Sequence, residues 1–338
     1  MSERENDPDP DPDPDPDPDP DRGRDHDVVV LRRGVHGMPI DDYATDLRER
    51  LPGARVRVAR TPAEERDLVP EATVVTGHHL DPSLLEDADD LDLFACSYAG
   101  YGHLPTDAFA DHGVAVTTAS GVHGPNMAEY VVGAILAFVR GFPEAWRRQG
   151  RREWRHYQAD ELQGSTVTVV GLGAIGTAVV ERLSGFGVHT IGVRNSPEAG
   201  GPTDEVLGVD RLHDALARTD YLVLAVPLTD ETEGLVDAAA LDTLPPNAVV
   251  VNVARGPVVD TDDLVDALQG SHVRGAALDV TDPEPLPPEH VLWTFENVFI
   301  TPHNSGHTPQ YYARLADIVA ENVDRLDADE DLVNQVVP

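Results

Sequence analysis

Across the middle of the chain runs Val167-Thr168-Val169-Val170-Gly171-Leu172-Gly173-Ala174-Ile175-Gly176. Val167 to Val170 is the short apolar run expected of a strand buried on both faces of a parallel sheet. Gly171, Gly173 and Gly176 follow at GxGxxG spacing, and Ala178 to Leu183 continues as an apolar helical run. The first glycine allows a tight turn, the second lets a pyrophosphate approach the backbone, and the third lets helix and strand pack closely. Phosphates would then sit at the helix N-terminus. Glycine turns between strands and helices are common; the strand before and the helix after give this one its weight.

Downstream, strands are predicted at Thr190–Val193, Tyr221–Ala225, Ala248–Val251, Gly275–Leu278 and Val298–Ile300. With the first they make six, the pattern of a doubly wound Rossmann dinucleotide-binding domain. Upstream, Val28–Leu31, Val56–Ala59, Thr73–Thr76, Leu91–Ala95 and Val114–Thr117 read as strands. Helical segments near 41–51, 63–69, 82–87 and 105–111 separate them, which describes a smaller flavodoxin-like α/β domain. No glycine-rich motif opens those helices, so the nucleotide site is expected in the later domain. Met127–Arg140, Glu144–Arg152 and Gln310–Leu326 read as further helices, the last returning to the first domain. The expected division is a substrate domain of residues 27–125 and 307–338, and a dinucleotide domain of residues 126–306. Two crossings between lobes would make a hinged cleft.

Composition narrows the chemistry. The 338 residues carry a net charge of −36, and all 25 basic residues are arginine. Without lysine there is no Schiff base, no P-loop lysine and no lysine nucleophile. So acidic a surface also argues against nucleic-acid binding. The acidity is general: residues 1–27 hold ten Asp and two Glu against three Arg, and the remainder is still strongly acidic. A surface of this kind suits a halophilic cytosol holding molar salt, where charges are screened within a few ångströms. Asp7 to Asp21 alternates strictly with proline, so residues 1–26 are expected to form a disordered acidic tail. Cys96 is the single cysteine, with apolar neighbours, and is expected in the core. No apolar run reaches the ~20 residues of a membrane span, and no signal-peptide core follows the N-terminus, so the expected location is cytoplasmic.

About 20 residues past the glycines, NAD-binding chains place an acid for the ribose 2′-hydroxyl. Here stand Arg194, Asn195 and Ser196. Arginine cannot accept that hydrogen bond but pairs with a 2′-phosphate, so NADP(H) is the preferred cofactor and NAD(H) the alternative.

Three groups follow later strands. Arg255, flanked by Ala254 and Gly256, can grip a carboxylate with both arms of its guanidinium. Asp279 ends a strand, and Glu284 lies between Pro283 and Pro285. His303 follows Val298–Ile300, and histidine exchanges protons near neutrality. A nearby Glu284 would fix its tautomer. His78 and His79 adjoin another strand end, but no third ligand follows at suitable spacing, so no metal is assigned. Hydride, carboxylate grip and acid/base pair together specify a 2-oxo or 2-hydroxy acid.

At these residues the chain resembles the D-isomer-specific 2-hydroxyacid dehydrogenase family, which includes glyoxylate/hydroxypyruvate reductases. The likeness runs from about Leu91 to Asn322, through Glu161–Gly176, Pro227–Gly234, Asn252–Asp260, Ala277–Pro287 and Thr301–Gly306. It implies that Arg255 binds the substrate carboxylate, that His303 is the acid/base and that Glu284 is its partner. It further implies that Asp279 holds the nicotinamide carboxamide. Ala174 and Ile175 would lie on the pyrophosphate; Val226, Pro227, Val253, Ala254 and Ser305 would line the cofactor. Tyr98-Ala99-Gly100 looks like the family's substrate loop, although Gly102 and His103 stand where many members have an Asp or Asn pair. A homodimer paired through the cofactor domain is implied, and with the chain ending at Pro338 no added regulatory domain is expected. Two other readings share this fold. A nucleotide-sensing, corepressor-like protein has no need of Arg255, Glu284 and His303. Formate dehydrogenases pair their histidine with glutamine, whereas Glu284 is an acid.

Overall fold

The computed structural model describes residues 26–338; the Asp-Pro stretch and the tail expected around it lie outside the described residues, apart from His26. Thirteen strands run in chain order: β1 Asp27–Val30, β2 Arg55–Val58, β3 Val74–Gly77, β4 Leu93–Cys96, β5 Ala115–Thr117, β6 Thr166–Val170, β7 His189–Val193, β8 Glu205–Leu207, β9 Tyr221–Leu224, β10 Val249–Asn252, β11 Gly275–Leu278, β12 Val298–Ile300 and β13 Gln335–Val337. They form two sheets in two compact units.

Of the described residues, the first unit comprises 26–97, 103–117 and 316–338. Its sheet has the order β13-β5-β4-β3-β1-β2. Without β13 this is the flavodoxin-like order, parallel throughout, with β13 added antiparallel to β5. Val28, Val29, Val74, Val75 and Phe94 are fully buried, as strands covered on both faces require. Cys96 is buried and forms no disulfide. His26, assigned to the tail from sequence, is buried instead: its ring bonds to Thr73 Oγ1 at 3.1 Å and to Asp327 Oδ1 at 3.0 Å. Residues 82–87 form a 3₁₀ rather than an α-helix, with Asp81 capping its first turn through Ser83 N at 3.0 Å.

The second unit comprises residues 98–102 and 118–315, so the boundaries expected at 125/126 and 306/307 fall inside it. Its order β12-β11-β10-β9-β6-β7-β8 is the doubly wound order with one strand added, and every pairing is parallel. The order reverses between β6 and β9, where such sheets bind their ligands. Helix Gly124–Val139 lays Met127, Val131 and Ile135 against Val179, Val180 and Leu183 of helix Ala174–Leu183. Each such side chain contributes about 1.5–3 kcal/mol by leaving water. This packing fixes the glycine turn against the sheet. Strands β8 and β13 lie beyond the sequence expectation; at three residues each, neither shows a readable alternation.

Candidate active site

The three motif glycines occupy three different environments. Gly171 has φ +95°, in the left-handed region, and a Cβ there would lie 2.5 Å from Ala225 O. Its N–H donates to Val193 O at 2.8 Å, so the turn is held at the ends of β7 and β9 alike. Gly173 precedes the first residue of the helix, and a Cβ on it would meet nothing within 4 Å. At Gly176 a Cβ would sit 1.9 Å from Gly171 O, so only glycine lets the helix lie this close. An open backbone at the N-terminus of a ten-residue helix, at the switch point of the sheet, fits a pyrophosphate. Ala174 and Ile175 form its first turn. Val226 and Pro227 follow β9, with Val226 Cγ1 2.8 Å from the position of a Gly171 Cβ. Arg194, Asn195 and Ser196 follow β7; Arg194 Nη1 donates to Gly200 O at 2.8 Å, curling the loop around the guanidinium.

Arg255 follows β10. Asn252, 1% exposed, shapes its loop: Nδ2 donates to Arg255 O at 3.0 Å and Oδ1 accepts from Ala254 N at 3.0 Å. Val253 and Ala254 are buried beneath it. The guanidinium is exposed and donates to Ala254 O at 2.6 Å. Gly256 is the joint to the neighbouring loop, for a Cβ on it would lie 2.0 Å from Thr281 O. That loop carries Glu284 between two cis prolyl bonds.

His303 and Glu284 come together: Nδ1 lies 2.7 Å from Glu284 Oε1, with both side chains nearly half exposed. The tautomer with Nδ1–H donating to the carboxylate leaves Nε2 to exchange a proton with a substrate. His303 has φ +51°, left-handed for a non-glycine residue, a conformation that costs ~1 kcal/mol or more and that surrounding structure must hold. Asp279 supplies that hold. Its carbonyl accepts His303 N at 2.8 Å, and its buried carboxylate accepts Thr301 Oγ1, Asn304 N at 2.8 Å, and both N (3.0 Å) and Oγ of Ser305.

Sequence reasoning missed the outer braces of this loop. Thr301 spends its proton on Asp279, so Tyr130 donates to Thr301 Oγ1, at 2.8 Å. Burial pushes the Tyr130 phenol up to about 12, which keeps that proton in place. Asn126 Nδ2 donates to Ser305 O at 2.7 Å, and His123 Nδ1 lies 2.9 Å from Gly306 O. Burial holds the His123 imidazole below the usual histidine range, so it is neutral and donates there. These partners are more than 170 residues apart in the chain, and no local pattern announces them. The expected substrate loop Tyr98-Ala99-Gly100 follows β4 and groups with the second unit, Tyr98 O accepting Ala119 N at 3.1 Å. Among the described residues no cluster of three or more His, Cys, Asp or Glu could hold a metal ion.

A doubly wound sheet with a phosphate turn at its switch point and a His–Glu pair beyond neighbouring strands defines a dinucleotide-dependent oxidoreductase. Comparison with known proteins narrows the class. Residues 132–305 match the family model of the D-isomer specific 2-hydroxyacid dehydrogenase NAD binding domain. A glyoxylate reductase of Thermofilum pendens is 37% identical over 72% of this chain and 74% of its own length. A D-3-phosphoglycerate dehydrogenase of Methanocaldococcus jannaschii is 30% identical over 85% of this chain and 56% of its own. The crystal structure of a D-isomer specific 2-hydroxyacid dehydrogenase from Xanthobacter autotrophicus, in complex with NADPH and MES, superposes with a TM-score of 0.75 at 29% identity, covering 93% of this chain and 98% of that one. The chain belongs to the D-isomer specific 2-hydroxyacid dehydrogenase family and is an NAD(P)-dependent 2-hydroxyacid dehydrogenase. The relatives named are enzymes, and the corepressor-like alternative finds no support among them.

Proposed function

We propose that the protein interconverts a 2-oxo acid and a D-2-hydroxy acid, with NADP(H) as the preferred cofactor. The observation that carries this reading is the His303–Glu284 pair at 2.7 Å, on a loop that Asp279 anchors. The bound nicotinamide would supply or accept the hydride. Arg255 binds the substrate carboxylate through its exposed guanidinium and draws charge from the adjacent carbonyl. Nε2 of His303 delivers a proton to the carbonyl oxygen in reduction and takes it back in oxidation, while Glu284 orients the ring. Backbone N–H groups of Tyr98-Ala99-Gly100 meet the same carboxylate. Ala174 and Ile175 carry the pyrophosphate at the helix N-terminus, with Val226, Pro227, Val253, Ala254 and Ser305 lining the cofactor. Asp279, already loaded with donors from residues 301–305, faces the nicotinamide carboxamide only as far as its remaining accepting capacity allows.

The NADP(H) preference rests on Arg194, and the NADPH complex of the Xanthobacter relative is in keeping with it. Replacing Arg194 by Ser should raise the KM for NADPH by about 10- to 100-fold, the worth of one charge-assisted phosphate contact, and leave that for NADH nearly unchanged. Steady-state kinetics with both cofactors decide it; a wild-type enzyme using NADH as well as NADPH refutes the preference.

A homodimer formed through the cofactor unit is part of the same proposal. Helix Phe142–Arg151 and the stretch after it bury none of their large aromatics: Trp154 is fully exposed, Trp146 about half exposed, and Phe142 and Tyr157 more than a third exposed. Arg147, Arg148, Arg151, Arg152 and Arg155 stand among them in an otherwise acidic chain. Such a surface complements a second copy. Light scattering should give twice the 36.5 kDa chain mass, and Trp154→Ser with Trp146→Ser should give a single mass; a monomeric wild-type protein overturns the proposal.

A further inference from the structure

Strands β1 and β3 are neighbours in the first sheet, and Gly77 closes their carboxyl ends: a Cβ there would lie 2.7 Å from Leu31 Cβ. The residues leaving the two strands, Arg32-Arg33 and His78-His79, are therefore brought side by side. With Arg66 they line a cavity of about 260 Å³. The carboxyl ends of parallel strands are where open α/β sheets hold ligands.

The charge in this cavity is unbalanced. Arg32 is satisfied, its guanidinium paired with the buried Glu65 and its N–H donating to Glu65 Oε1 at 3.3 Å. Asp81 is spent on Ser83, accepting from its N and Oγ at 3.0 and 2.9 Å. Arg33 and Arg66 line the cavity with no hydrogen bond or ion pair among the described residues. Elsewhere in this unit most arginines find carboxylates, as Arg57 finds Asp27 and Glu71, and Arg60 finds Asp41, while Arg48 donates to Val56 O. In a chain with 61 Asp and Glu, these two cations face one cavity without a carboxylate partner among the described residues. Burial, with Arg33, His79 and His103 nearby, holds the His78 imidazole below the usual histidine range.

We propose that this cavity is a binding site for a small dianion, a phosphate or a dicarboxylate, gripped by Arg33 and Arg66 with His78 and His79 on its wall. Two guanidinium groups provide paired N–H donors that match either oxyanion, and the Arg32–Glu65 pair supplies a neutral side to the cavity. Binding here belongs to the first unit and does not rest on the dehydrogenase reading.

The test reads the cavity itself. In the full chain with histidine ring nitrogens labelled, His78 and His79 signals are assigned by His78→Gln and His79→Gln. Inorganic phosphate and malonate are then titrated separately, with KCl holding the ionic strength constant. Saturable shifts of both signals with either anion support the site, and the anion that saturates names the source. Arg33→Gln combined with Arg66→Gln, both exposed positions whose loss should leave the fold intact, should weaken that binding at least about tenfold. Shifts that chloride alone reproduces, shifts that never saturate, or unaltered affinity in the double variant would each overturn the proposal.

Discussion

Replacing His303 by Ala should cut turnover by about 10²- to 10⁴-fold, the range supplied by a positioned acid/base, while NADPH still binds. The size follows from the arrangement: Nε2 is the free end of a ring whose other nitrogen is tied to Glu284 at 2.7 Å. Its position at φ +51° makes the choice of variant matter, since a residue that resists the left-handed region would disturb the loop as well as the chemistry. His303→Asn is the safer companion, because asparagine tolerates that conformation better than alanine does. If both variants lose turnover alike, with melting temperatures near wild type, the loss belongs to the proton. Cofactor binding, followed by NADPH fluorescence in high salt, separates an inert enzyme from an unfolded one. Unchanged turnover in His303→Asn would remove the acid/base assignment outright.

How much of this was legible in the sequence depends on how local each cause is. The glycine turn was fully legible because each glycine answers a constraint within a few residues: a positive φ at Gly171, an open approach at Gly173, a 1.9 Å conflict at Gly176. Arg255, Asp279, Glu284 and His303 could be singled out by position, since each follows a parallel strand, and the structure brings His303 and Glu284 within 2.7 Å of each other. The grip on the loop of residues 301–306 was not. Tyr130 and Asn126 read as polar interruptions of an apolar helix; only the fold places them against Thr301 and Ser305. His26 was misassigned because its partners, Thr73 and Asp327, are distant in sequence and it sits next to an acidic tail. The pattern is general: backbone constraints write themselves into neighbouring residues, whereas hydrogen-bond partners across a fold do not.

Arg255→Gln should lower kcat/KM for a 2-oxo acid by about 10²- to 10³-fold, because a charge-assisted, two-pronged contact is replaced by one neutral amide. Little of that loss should come from folding. The guanidinium is exposed and its own hydrogen bond runs to Ala254 O, while the loop is shaped by Asn252 and by the Gly256 joint. The melting temperature should therefore stay close to wild type. Arg255→Lys keeps the charge but not the fork and should fall between the two. The decisive comparison uses a substrate without the carboxylate. Wild-type enzyme should favour pyruvate over pyruvamide strongly, and Arg255→Gln should largely erase that preference by losing rate on pyruvate alone. If the variant loses the same factor on both, Arg255 acts on the carbonyl or on loop geometry, and the carboxylate must be held elsewhere, with Tyr98-Ala99-Gly100 the first place to look. If it loses nothing on either, the arginine is a surface charge and the substrate class itself loses its main support.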